Sequence, residues 1–285
     1  MTIIDKLSIG DNMPARIMGI INTSPESFYK DSININVDSI ANAAINMQNN
    51  GAHIIDVGAM STAPYLETII SIEEETRRMK QAIEVIKNSC KLPISADTPR
   101  SKVAKEAIKC GVDAINDITG LKYDSNMANV ISEADLPVII GAHCNSKSLY
   151  TSGKISGTLK VLKDSIMIAK SAKIDDDNII IDPSIGFFRS EGKNPFFTKM
   201  NDLPWYIRDI EIISNLKKLK SLSKPLCISL SRKSFIGNLF NLKIEERLIP
   251  SLIAEVLSVL NGANLIRTHS VKEAVQALIT LELVG

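Results

Sequence analysis

Asn178-Ile179-Ile180-Ile181-Asp182 sets three consecutive isoleucines against a closing carboxylate. A short run that is apolar at every position and β-branched suits a strand covered on both faces, as in a parallel sheet. Upstream, Ile54-Ile55-Asp56-Val57 repeats the pattern within residues 52–57. Working outward, the same kind of run occurs at 16–21, 92–96, 113–116, 136–142, 225–229 and 264–267, with the quoted one at 178–181. Amphipathic stretches separate them at 38–50, 72–88, 100–110, 125–134, 158–172, 209–220, 244–261 and 271–283. The first opens on Asp38 as an acidic N-cap and stops at Gly51. The second carries Glu73-Glu74-Glu75 in its first turn, where carboxylates complement the helix dipole. Eight strand–helix repeats in 285 residues predict an α/β fold of the (β/α)8 TIM-barrel class. An open doubly wound sheet would alternate in the same way, but no G-x-G-x-x-G follows the first strand. No linker or shift of composition interrupts the pattern, so residues 1–285 read as a single domain.

Composition narrows the function classes. Hydrophobic residues make up 45% and charged residues 23%, which excludes disordered, collagen-like and low-complexity chains. Lys and Arg number 33 against 32 Asp and Glu, so no global field draws the chain to nucleic acid or an anionic membrane. The opening MTIIDKLSIG lacks the apolar core of a secretory signal. No stretch approaches the ~18 apolar residues of a spanning helix. Cys90, Cys110, Cys144 and Cys227 are scattered, with no C-x-x-C pair, and read as reduced, packed thiols. A cytoplasmic protein is the expectation.

Polar residues close almost every strand run: Asn22, Asp56, Asp97, Asn116 with Asp117, His143, Asp182, Ser231-Arg232-Lys233, and Arg267 with His269. In a barrel all these ends meet on one rim, where active sites form. Turn capping accounts for any single one of them; the whole set predicts a site. Asp56, Asp97, Asn116 and Asp182 offer carboxylates and an amide suited to a flat heterocycle rich in N–H donors. Arg232, Lys233, Arg267 and His269, joined by Asn22 and Thr62, read as a cationic cluster for phosphate or pyrophosphate at the seventh and eighth strands. His143 reads equally as a core residue, and His53 receives no role. The chain has no G-x-S-x-G, H-E-x-x-H or Walker loop, so a covalent serine or cysteine hydrolase has no support.

Specific segments then resemble a known family. Met18-Gly19-Ile20-Ile21-Asn22-Thr23-Ser24-Pro25-Glu26-Ser27-Phe28 resembles the dihydropteroate synthase opening motif M-G-I-x-N-x-T-P-D-S-F. Gly51 to Gly58 (G-A-H-I-I-D-V-G), Asp97-Thr98, Gly111 to Gly120, Asp182-Pro183, Ser231-Arg232-Lys233-Ser234-Phe235-Ile236-Gly237 and Arg267-Thr268-His269 continue it in order, over about residues 16–282. The resemblance implies a TIM barrel that condenses 6-hydroxymethyl-7,8-dihydropterin pyrophosphate with para-aminobenzoate and releases pyrophosphate. It implies that Asp56, Asp97, Asn116, Asp182 and Lys233 hold the pterin, and that Asn22, Thr62, Arg267 and His269 hold the pyrophosphate. Mg²⁺ would sit near Asn22, Ser234 would face the aminobenzoate carboxylate, and Asp97, Lys233 and Arg267 would carry the chemistry. A homodimer through the late helices is likewise implied, with residues 244–261 apolar enough to permit it.

Departures gather on the second-substrate side. The family's G-G-E-S-T-R-P loop reads Gly58-Ala59-Met60-Ser61-Thr62-Ala63-Pro64, without Glu or Arg. An arginine at position 63 would pair bidentately with an anion, and alanine cannot. D-P-G-I-G-F-G-K reads Asp182-Pro183-Ser184-Ile185-Gly186-Phe187-Phe188-Arg189, and M-H-M reads Ala142-His143-Cys144, with one residue more than usual after Pro137. The amine is therefore aminobenzoate held differently, or a larger arylamine. Two alternatives stay open: a pterin-binding methyltransferase-type domain, which has no need of the anion cluster, and a non-catalytic pterin-binding protein.

Overall fold

The computed structural model describes residues 1–25, 36–145 and 151–284. Glu26, Ser27 and Phe28, which close the first motif, lie outside them. Among the described residues, eight parallel strands run Arg16–Asn22, Ile54–Gly58, Ile94–Asp97, Ala114–Asp117, Val138–Gly141, Ile179–Asp182, Cys227–Ile228 and Leu265–Thr268. Each of the first five pairs with the next in chain order; the seventh pairs with the eighth and the eighth with the first. A bridge between Ile181 and Leu226 joins the sixth to the seventh and closes the ring. This is the (β/α)8 barrel that the alternation predicts.

Side chains on a strand alternate between its two faces, and the alternation sorts the barrel into two cores. Ile17, Ile21, Ile55, Val57, Ile140 and Ile181 face outward and pack against the helices. Met18, Ile54, Ala114, Ile139, Ile180, Cys227 and Leu265 face inward and fill the lower barrel. Each isoleucine so buried stabilises the fold by roughly 1.5–3 kcal/mol. A hairpin of Thr2–Ile4 and Leu7–Ile9 plugs the base with the fully buried Ile4 and Ile9. Its three-residue strands are too short to announce themselves by periodicity.

Several elements differ in detail from the sequence pattern. The first helix, Val37–Asn49, is capped by Asn36, whose Oδ1 accepts from Ser39 N at 2.7 Å, and Asp38 lies in the first turn. In the second helix, Ile72–Ser89, Glu75 is fully buried instead of serving the dipole from the surface. It accepts from Thr98 Oγ1 at 2.6 Å and from Arg100 Nη1 at 2.9 Å. The stretch 209–220 divides into a helix Trp205–Ser214 and a 3₁₀ segment Leu216–Leu222. The stretch 244–261 starts with a 3₁₀ turn before the helix Leu248–Leu260, whose Pro250 falls in the first turn, where no N–H is needed. Ser234–Phe240 forms an unanticipated short helix. All four cysteines are free thiols. No helix among the described residues is long and apolar enough to cross a membrane.

Candidate active site

The period of two carries the inward face from the apolar plug up to the rim. Above Ile54 the next inward residue is Asp56, above Ala114 it is Asn116, above Ile180 it is Asp182, and above Leu265 it is Arg267. Strand register sets neighbours side by side: Asn22 beside Gly58, Gly58 beside Asp97, and Asp97 beside Asn116. A Cβ at Gly58 would stand 3.2 Å from Asn22 Oδ1 and 3.9 Å from Asp97 Oδ2, so glycine keeps a gap open between them. Asp117, one residue past Asn116, falls on the other face. Its carboxylate takes the Thr119 and Leu121 N–H groups at 2.8 Å each and shapes the following loop instead of facing the site.

Above this tier opens a cleft of about 930 Å³, counting its mouth. Its walls include Asn22, Thr62, Asp97, Asn116, Asp182, Lys233, Ser234, Arg267 and His269, so nine of the sequence-predicted site residues meet there. Arg232 does not line it, and neither does Asp56. Fully buried behind the wall, Asp56 accepts at Oδ2 from Arg267 Nε at 2.6 Å and from Asn116 Nδ2 at 3.2 Å. Arg267 also donates from Nη2 to Asp97 Oδ2 at 2.7 Å. The guanidinium is thus held rigidly by two carboxylates.

Burial and neighbours set the charges. Burial pushes Asp97 up to about 7, against the pull of Arg267. Burial also raises Asp182, although Ser184 N donates to its Oδ1 and Lys233 lies near. Lys233 is brought down to about 8 by burial and by Arg267. Burial, with Arg267, Lys233 and Arg232, lowers His269 to about 3, so its imidazole is neutral at pH 7. Two members of the supposed cationic cluster are therefore corrected. His269 serves as a neutral hydrogen-bonding ring, its Nδ1 3.2 Å from Ser231 Oγ. Arg232, at φ +54°, donates to the Ile244 and Glu245 carbonyls at 3.0 Å and braces the following segment. His143 is buried and does not line the cleft, and its ring is held neutral by burial and Lys122, at about 4.

Arg189, to which the sequence reading gave no role, stands beside Ser234. Its Nη2 donates to Ser234 Oγ at 2.8 Å and its Nε to Gly186 O at 3.2 Å. The guanidinium lies over the Trp205 ring at 3.8 Å and near the Tyr65 ring at 5.5 Å. The only signal was its place at the end of the divergent stretch after Asp182. That stretch turns through positive φ at Ser184 (53°) and Gly186 (85°). It rests on a buried ion pair: Arg208 donates to Pro183 O at 2.7 Å and Ser184 O at 3.1 Å, and Asp209 Oδ1 accepts from Gly186 N at 3.0 Å.

Residues 18–269 match the family model of pterin binding enzymes. The dihydropteroate synthase of Clostridium beijerinckii is 38% identical over 90% of this chain and 89% of its own length. That of Bacillus subtilis is 34% identical over 90% and 84%. Among solved structures, the Clostridium difficile dihydropteroate synthase crystallised in the presence of pteroic acid superposes with a TM-score of 0.83 at 32% identity, covering 98% of each chain. The Xanthomonas albilineans enzyme with 4-aminobenzoic acid gives 0.82 at 28% identity over 95% and 93%. By this match over most of its length, the chain belongs to the dihydropteroate synthase family of pterin-binding enzymes.

Proposed function

We propose that the chain condenses 6-hydroxymethyl-7,8-dihydropterin pyrophosphate with para-aminobenzoate, yielding dihydropteroate and pyrophosphate for folate biosynthesis in the cytoplasm. What carries this reading is one cleft that combines Asp97, Asn116 and Asp182 with Lys233, Arg267 and His269. The carboxylate of Asp182 accepts from the pterin N–H donors, while Asn116 and Lys233 donate to its ring acceptors. Ile20, Ile118 and Ile185 give the flat ring apolar surroundings.

The bond between the pterin methylene and the pyrophosphate oxygen breaks, and its electron pair leaves with the pyrophosphate. Asp97 offsets the positive charge that develops on the methylene. Arg267, with Asn22, Thr62 and the neutral His269, meets the charge growing on the leaving group, and Asp56 keeps the guanidinium aimed. The arylamine lone pair forms the new C–N bond, and the nitrogen gives up its proton to water. An arylamine is nucleophilic at neutral pH, so no triad is needed.

Mg²⁺ is implied by the family. Asn22 presents a single amide oxygen at the gap beside Gly58, and no group of three or more His, Cys, Asp or Glu side chains among the described residues could cage a metal. That donor set fits a cation that keeps most of its waters and binds phosphate oxygens. Bound at Asn22, Mg²⁺ would neutralise charge on the leaving group.

For the second substrate, Arg189 takes over the part that Ala63 cannot play: with Ser234 it receives the carboxylate. A homodimer through the helix Leu248–Leu260 completes the reading. The test is pyrophosphate release from the pterin substrate with Mg²⁺ and aminobenzoate. Release that depends on the amine is expected; binding without release, or release indifferent to the amine, refutes the reading. Arg189→Met should raise KM for aminobenzoate about tenfold, the loss of one charge-assisted bond, and leave KM for aniline unchanged.

A further inference from the structure

We propose that residues 190–200 form a strap that positions the second-substrate loop, with Asn194 as its positioning residue. This rests on the reading of the cleft above, which gives that loop a substrate to meet. The strap is rooted in a small parallel pair, Phe188–Arg189 with Thr198–Lys199, so it leaves the barrel directly after Arg189 and returns beside it. Thr198 N donates to Phe187 O and Met200 N to Arg189 O, both at 2.9 Å, while Cys144 N donates to Thr198 Oγ1 at 2.9 Å.

The tip of the strap reaches the loop after the second strand. Asn194 Nδ2 donates to Ala63 O at 2.7 Å and to Leu66 O at 3.2 Å, and its Oδ1 accepts from Phe196 N at 2.9 Å. Lys193 N donates to Pro64 O at 2.7 Å. Asn194 is 6% exposed, so its amide uses both donors and its oxygen in a nearly dry setting. No other side chain does this at the same length: aspartate keeps the oxygen and loses the donors, and glutamine is one methylene too long.

The bonded loop is the one whose Thr62, Pro64 and Tyr65 line the cleft. Within itself the loop is closed by Thr68 Oγ1 donating to Ser61 O and by Leu66 N donating to Ala63 O. With alanine at 63, the loop has no long side chain there to fasten it to a bound anion. The strap supplies that fastening from the protein side, before any ligand arrives. A loop already held in its working shape does not have to be ordered when the arylamine binds. One segment therefore does two jobs: its root carries the cation and its tip fixes the facing wall.

Asn194→Asp retains shape and the Phe196 bond while removing both donors, and Asn194→Ala serves as a second variant. Both should raise KM for aminobenzoate about tenfold, the cost of an unmade buried hydrogen bond, with affinity for 6-hydroxymethylpterin, which lacks the phosphates that Thr62 meets, within about twofold of wild type. Amide hydrogen exchange in residues 61–68 should quicken while the barrel strands stay protected. Unchanged exchange in that loop overturns the proposal even if the chain proves inactive, so its failure is distinct from failure of the assigned reaction. A fall in pterin affinity and Tm in step with the KM change would mean general destabilisation, and would overturn it as well.

Discussion

Asp97 and Lys233 have their charges set in opposite senses by the same burial. Asp97, raised to about 7, is protonated below that pH and ionised above it. Lys233, lowered to about 8, is charged below and neutral above. Both are charged together only between the two values. Turnover that needs the carboxylate to offset a developing cation and the ammonium to hold the ring should therefore peak in that narrow window. Measured as kcat/KM for the pterin substrate, the acid limb should fall through about 7 and vanish in Asp97→Asn, with the alkaline limb intact. The same substitution should slow turnover by roughly 10²-fold through loss of an aligned charge. Because His269 is neutral throughout this range, an acid limb that persists in Asp97→Asn would reverse the assignment. These groups could be read from sequence because each ends a strand run, and the rim of a barrel is a fixed destination. The charge of His269 could not, since it depends on Arg232, Lys233 and Arg267 gathering around it from the ends of two strands.

At the scale of elements, the strands were legible because they are apolar on both faces, and the register then delivered Asp97 beside Asn116. What escaped was structure set by tertiary contacts. The stretch 209–220 reads as one helix by periodicity, yet the chain starts it at Trp205 and breaks it at Asn215. Within that helix Arg208 is buried and bonded to the Pro183 and Ser184 carbonyls, Thr158 Oγ1 and Asp209. A charged pair on a helix looks like a solvated face until the loop above it is known. Burial lowers Arg208 and raises Asp209, but each is held by the other. Arg208→Met leaves Asp209 as an uncompensated buried charge and should cost roughly 3–5 kcal/mol of stability in urea unfolding. Adding Asp209→Asn removes that charge while keeping an acceptor for Gly186 N, and should recover part of the loss. A double variant no more stable than the single one would show that the pair acts through packing alone.

Across the whole molecule, the helix Leu248–Leu260 buries polar residues and exposes apolar ones, while Leu252, Val256 and Val259 lie partly buried against the core. Its buried residues are Ser251, Glu255 and Ser258, whereas Ile249, Ile253, Leu257 and Leu260 are 69%, 57%, 47% and 55% exposed. The inward polar face is made tolerable locally. Ser251 Oγ donates to Arg247 O at 2.6 Å and Ser258 Oγ to Ala254 O at 2.7 Å, each four residues back. Burial lifts the Glu255 carboxyl to about 8, so it is largely neutral at pH 7. The outward apolar residues, spaced four, four and three apart, form one stripe, and Ile279 and Leu283 of the last helix are also exposed, at 50% and 79%. Such a stripe is costly in water and is the kind of patch that a twofold partner covers. A stable interface needs about 1,200–2,000 Å² in total, more than one helix supplies, so the last helix should share it. Sedimentation velocity at micromolar concentration should show a dimer for the wild type and a monomer for Ile253→Asp. A wild-type chain that sediments as a monomer would leave the exposed stripe without its explanation.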